Sequence, residues 1–318
     1  MEDGVTAATN DRASEQLAAY NYCVSFIDVL GQRNALRGEG WLPRLKSEEE
    51  HSAFRTKLKE TIGVILSLQQ QAETMVNSVI EARPDSPFRK SLPPEHHATW
   101  DEMQKTRITT QRWSDGIVSF VCLGDTEIKC RMNGIFGLFG LAGSSCLLGL
   151  GMHRPVRGAI DGAWAVELRQ GELYGAAVAR AYELESEVAS YPRIVVGQRV
   201  VELLQAHQAA AETDLFTEND RAMARVCLGM LVKDVDGSWI VDYLGEEFRR
   251  SITQSQHPVL YKEARQFVIQ QLQEHQATKN GKLAFRYGHL LLYFNSHAPN
   301  SEQDAQPGDA GDAPNSAI

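Results

Sequence analysis

No stretch of this sequence concentrates lysine and arginine with interleaved aromatics, and the formal net charge is −9 over 318 residues. Such a chain repels polyphosphate backbones, so nucleic acid is not an expected partner, while a small nucleotide held through metal ions is not excluded. Cysteine is scarce: Cys23, Cys122, Cys130, Cys146 and Cys227 are odd in number, scattered and without C-x-x-C spacing. A reducing cytoplasm fits that usage, and a structural zinc site does not. Residues 1–18 are polar and acidic, lack the apolar segment of a secretory signal, and read as a frayed leader. Only one long stretch, Met132 to Met152, has no charged residue. Its length suits a bilayer, but it carries six glycines and two serines and has no polybasic flank. The expectation is a buried helix packed closely against a sheet through its small residues, with a membrane span as the alternative.

What is present is a globular composition, 43% hydrophobic and 23% charged, enough for one large core or two modest ones. Residues 19–31 read as a strand, and residues 46–81 as a helix with Phe54, Leu58, Ile62, Ile65 and Leu66 on one face. A Pro-rich, His-containing loop is expected over about 82–100. "TRITTQRW", "SDG" and "IVSFVCL" then read as a hairpin, and "VRGAIDGAWAVEL" with "GELYG" as a second strand pair followed by a helix. After Pro192 come a strand or helix start, a hairpin around Asp236-Gly237 and a helix over about 257–277. Residues 296–318, rich in Pro, Gly, Asp, Asn and Ser, are expected to be disordered.

Asp28 stands out in "SFIDVLGQ", because a carboxylate at the end of a mostly buried strand is costly unless paired, hydrogen-bonded or metal-bound. Capping of a following helix is the plainer reading. Asp115, in "WSDGIV", has a plain reading as well, since Asp-Gly is common turn chemistry.

Taken in order, the elements resemble the catalytic domain of class III nucleotidyl cyclases. The family's F-x-D-I-x-G is matched by Phe26, Asp28, Val29 and Gly31, its G-D-G hairpin by Ser114, Asp115 and Gly116, and its later helix motif by Gly175, Val178, Glu185 and Ser186. The resemblance covers about residues 20–200 and rests on order and spacing, because each motif is short. It implies an α/β fold, an α+β sandwich with a central, mostly antiparallel sheet flanked by helices and a C-terminal extension. The boundaries expected are a leader over 1–18, a catalytic domain over 19–200 with a helical insertion at about 40–105, an extension over 201–295 packing on the core, and a tail over 296–318. It also implies catalysis by two Mn²⁺ or Mg²⁺ ions held by Asp28, Asp115 and the main-chain carbonyl of Val29. Two carboxylates from separate strands can bridge ions about 3.5–4 Å apart, one lowering the hydroxyl pKa and the other clamping phosphates.

The departures are informative. The Asn and Arg that the family uses on its helix fall on Ala179 and Glu183, with Arg180 one residue along as a candidate replacement in substrate binding. The family's purine-reading Lys and Asp fall on Gln111 and Glu172, so the adenine code is absent. Gln111 can donate and accept, as a uracil or cytosine edge requires, or is an exposed strand residue. Retained metal aspartates with a rewritten base pocket resemble the bacterial Pycsar pyrimidine cyclases, which make cyclic UMP or cyclic CMP in antiphage defence. That resemblance implies UTP or CTP as substrate, a cytoplasmic homodimer with composite active sites, and a separate effector that senses the product. A degenerate, non-catalytic nucleotide-binding regulator is the alternative. Arg157, in the apolar run "VRGAI", is read as a substrate-binding residue or as half of a structural salt bridge. "DVDG" at 234–237 lacks the Glu that ends a calcium loop and is a turn. "EHH" at 95–97 has no further ligand spacing, and Ser114 has no His and Asp arrangement nearby.

Overall fold

Strand β1, Ala19–Val29, is buried almost continuously from Tyr22 to Val29, the signature of a strand covered on both faces. It is the centre of the computed structural model, which describes residues 18–31, 41, 44–80, 85, 87–113, 116–169, 171–211 and 214–298. Around it lie β2 (Thr109–Trp113), β3 (Gly116–Cys122), β4 (Val156–Arg169), β5 (Glu172–Gly175), β6 (Ile194–Val196), β7 (Leu231–Lys233) and β8 (Trp239–Val241). They form one eight-stranded sheet in the order β2-β3-β1-β4-β6-β8-β7, with β5 also on β4. Among the described residues, only the β4–β6 pairing is parallel. Eleven helices flank it among the described residues: α1 (Glu48–Leu58), α2 (Val64–Ile80), α3 (Pro87–Ser91), α4 (Pro94–Met103), α5 (Met132–Gly151), α6 (Ala176–Glu187), α7 (Gln198–Gln208), α8 (Leu215–Gly229), α9 (Glu246–Phe248), α10 (His257–Ala277) and α11 (Gly281–Ser296). The protein is thus a mixed α/β fold with a mostly antiparallel central sheet, as the sequence led us to expect.

Residues opposite one another in an antiparallel ladder share a face. Cys23, Ile27, Val29, Ile117 and Val121 therefore turn one way, into the core built on α5. Tyr22, Val24, Phe26, Val118 and Phe120 turn the other way and pack with Leu173, Ala177, Val178 and Ala181.

The uncharged stretch forms α5, which is long and apolar enough to cross a bilayer, yet 94% of its apolar window is buried inside the protein. Its glycines allow the close approach. A methyl at Gly143 would meet the Phe248 ring at 2.5 Å, and one at Gly149 would meet the Arg154 carbonyl oxygen at 2.7 Å. The first turn is satisfied from outside, because Asp220 on α8 accepts the Met132 N–H at 3.1 Å.

Two expectations change. Ile65 is buried as expected, but Leu58, Ile62 and Leu66 are exposed, and the buried row runs on through Leu68, Ala72 and Val76. A π-helical turn at Lys59–Gly63 separates α1 from α2, and its extra residue per turn shifts the apolar phase that an unbroken period of 3.6 predicts. The loop expected over 82–100 contains α3 and α4; Pro94 sits in the first turn of α4, where its missing N–H costs nothing. "EHH" accordingly lies on α4, with the His97 Nε2 3.0 Å from the Leu92 carbonyl. In the region after residue 200, β7 and β8 continue the sheet, and Phe248, Tyr261, Phe267 and Phe294 share one core with Ile27 and Phe139. "DVDG" is a turn, with Gly237 N–H bonded to the Asp234 carbonyl at 2.9 Å and Gly237 at φ 81°. The leader through residue 17 and the tail from residue 299 lie outside the described residues.

Two measurements check this packing. Gly149→Ala should destabilise the protein by about 1–3 kcal/mol in denaturant unfolding, since its methyl meets backbone. Gly151→Ala, whose methyl has only Glu263 Cβ at 3.8 Å, should be neutral or stabilising by up to ~1 kcal/mol. The second concerns His297, which follows α11. Burial disfavours its charge, but bonding to the Asp242 carboxylate at 3.0 Å and the Tyr293 carbonyl at 2.9 Å outweighs burial and raises its pKa. A raised folded-state pKa stabilises the fold below the unfolded value and loses that effect as pH rises through the folded one. His297→Gln should therefore cost more stability at pH 6 than at pH 9; an equal cost at both would exclude the charged pair.

Candidate functional site

Asp28 is the second-last residue of β1, opposite Gly116 on β3 and Arg157 on β4, on the face that carries α6. Its side chain is 25% exposed. The Arg157 guanidinium lies between two carboxylates, with Nη2 3.8 Å from Asp28 Oδ2 and Nε 2.6 Å from Glu185 Oε1. Its Nη1 donates to the Ala189 carbonyl at 3.3 Å. Glu185 reaches the site because Ala177, Val178, Ala181 and Glu185 form the buried stripe of α6, with an acid as its last member. Arg193 Nη2 donates to the neighbouring Val188 carbonyl at 2.7 Å, so two guanidiniums hold the C-terminal end of α6. Arg193, nearly fully buried, is in turn held by Asp234 and by Asp236 at 2.7 Å in the β7–β8 turn.

An aromatic group adjoins these charges. Phe26 meets Tyr182 edge-on at 5.3 Å and Trp113 at 6.2 Å, and both outer rings are substantially exposed. Gly116 makes room for Phe26, since a Cβ there would lie 3.1 Å from its ring. Ala179 and Glu183, the positions of the family's Asn and Arg, are both exposed on α6.

Gln111 and Glu172, remote in sequence, are brought together. The β4–β5 arm folds over the sheet far enough that Gln111 Oε1 accepts the Leu173 N–H at 3.2 Å, beside exposed Glu172. Gly171, at φ +81°, makes the turn of that arm next to Thr109. Arg180 points elsewhere: its Nε is 2.8 Å from Oδ2 of Asp161, a carboxylate that is 1% exposed on β4. A buried carboxylate requires such a counter-charge. Asp115 and Ser114 lie outside the described residues.

Asp28 and Val29 supply hard oxygen donors, which is what Mg²⁺ and Mn²⁺ take, and they fit such an ion. The Leu30 N–H bonds to the carbonyl of Pro155, the residue before β4, so the alternation of the ladder turns the Val29 main-chain groups to the β3 side, toward Gly116. The side chain of Val29 is core. Sequence reasoning gave no role to Glu185, although an acid closing an apolar helical stripe was a visible signal. Nothing in the sequence paired Arg180 with Asp161.

Among protein-family models and curated proteins, none matches this chain.

Arg180→Ala strands Asp161 and should cost about 3 kcal/mol of stability, read by denaturant unfolding. Unchanged stability with a raised substrate KM would instead assign Arg180 to the ligand.

Proposed function

We propose that this chain is a pyrimidine nucleotide cyclase that converts UTP to 3′,5′-cyclic UMP and diphosphate, a cytoplasmic second-messenger synthase in bacterial antiphage (Pycsar) defence. The observation that carries this reading is the β1–β3 register, which sets Asp28 opposite Gly116, the sequence neighbour of Asp115. Asp28 and Asp115 are the pair the class III cyclase resemblance calls for, in the sequence order it calls for.

In the reaction the ribose 3′-oxygen bonds to the α-phosphorus, the bond to the β-phosphate oxygen breaks, diphosphate leaves with the electron pair, and the hydroxyl proton passes to solvent. Bound Mn²⁺ or Mg²⁺ supplies acidification of the hydroxyl and neutralisation of the phosphate oxygens. Asp28, Asp115 and the Val29 carbonyl are the donors for it. Arg157 sets a cation beside Asp28 at the same end of the sheet, where a triphosphate needs one. Gln111 commits its carbonyl oxygen to Leu173, so its amide group presents donors, complementary to uracil O4, while Glu172 accepts from N3–H. The exposed rings of Trp113 and Tyr182 offer a surface for the second copy of a homodimer, and a separate effector reads the product.

One observation favours a second reading, a nucleotide-binding regulator without chemistry: Arg180 is engaged by Asp161, and Ala179 and Glu183 offer no donor pair in its place. Incubation of the purified protein with Mn²⁺ and the four ribonucleoside triphosphates separates the two, with cyclic monophosphates identified by mass. Cyclic UMP is the expected product, and Asp28→Ala or Asp115→Ala should each lower turnover at least ~10³-fold. Cyclic CMP would reassign the base, cyclic AMP would refute the pocket, and metal-dependent binding without product would establish the regulator.

A further inference from the structure

We infer that Glu185 is a positioning residue: by engaging the Arg157 guanidinium it keeps that cation from closing on Asp28, so that Asp28 can serve a divalent ion. The inference rests on the reading of Asp28 as a metal ligand. Arg157 has two carboxylates within reach, at 2.6 Å and 3.8 Å. The Arg157 Nε stands at close ion-pair distance from Glu185, although the two atoms are not aligned as a hydrogen bond, whereas its Nη2 stands off Asp28, so the cation is drawn to Glu185 and not closed on Asp28.

Burial decides this division. The Glu185 side chain is 3% exposed and cannot be hydrated if the guanidinium leaves it, whereas Asp28 stands at the sheet end with a quarter of its side chain in water. Glu185 is itself fixed. The stripe of Ala177, Val178 and Ala181 packs with Val24 and Phe26, and Arg193 fastens the Val188 carbonyl beyond the end of α6. The anchor for Arg193 is the β7–β8 turn, so the region after residue 200 helps set where Arg157 sits.

The test compares wild type, Glu185→Gln and the double variant Glu185→Gln/Arg157→Gln by crystal structure and by Mn²⁺ titration. In Glu185→Gln the Arg157–Asp28 separation should fall to hydrogen-bond length. A cation about 1 Å closer to the ligand should weaken Mn²⁺ binding about tenfold. Removing that cation in the double variant should restore the affinity to within about twofold, which a merely structural role of Glu185 does not predict. An unmoved guanidinium, an unchanged affinity, or a double variant as weak as the single one overturns the inference. If Glu185→Gln does not fold, Glu185→Asp keeps the charge, shortens the reach and gives the same comparison. Mn²⁺ bound by none of the proteins, wild type included, refutes the metal reading of Asp28; the crystal structures then report separately whether Glu185 holds Arg157.

Discussion

A strand covered on both faces must partner every charge it carries, and β1 with its neighbour β4 is built under that constraint. Asp28 and Arg157 lie opposite each other in the ladder, and Asp161 lies four residues further along β4. The two charges on β4 each draw a partner from α6: Glu185 for Arg157 and Arg180 for Asp161. The helix is thus keyed to the sheet by two ion pairs as well as by its apolar stripe. Replacing one member of such a pair leaves a desolvated charge behind, which costs more than the pair contributes when complete.

The opposite face of the sheet works by different physics. There α5 carries no charge to place, and its glycines let rings and backbone approach to distances that a methyl group would forbid. Close packing on one face and charge pairing on the other leave the end of β1 as the place where a carboxylate stays partly hydrated. An ion needs a carboxylate in that condition, neither fully neutralised by a guanidinium nor free to wander.

The region after residue 200 enters the site through Arg193. Its guanidinium joins the end of α6 to a turn whose two aspartates, Asp234 and Asp236, look in sequence like the start of a calcium loop. Their role is to neutralise a buried arginine. Tyr191 also donates to Asp234, and the His289 Nε2 lies 3.1 Å away, which ties α11 into the same network. A change in the extension therefore has a physical route to Arg157, because Arg193 holds the Val188 carbonyl and Arg157 holds that of the next residue, Ala189.

The sequence by itself determined the elements whose signals are local. The apolar run of β1, the Asp236-Gly237 turn, the glycine-rich uncharged helix and the long helix over 257–277 were all legible because period, composition and turn chemistry act within a few residues. It also singled out Asp28, since a charge in an apolar strand is conspicuous wherever the strand lies. Tertiary structure alone decided who partners whom. The π turn after α1 rotated the apolar phase away from Leu58, Ile62 and Leu66. The fold-over of the β4–β5 arm brought Gln111 to Leu173, and the β1–β4 register set Arg157 beside Asp28. Arg180 went to Asp161 and Glu185 to Arg157 because burial makes each carboxylate require a cation, and which cation arrives depends on how a helix crosses a sheet. That crossing is fixed by packing over the whole sheet face, and no window of sequence contains it.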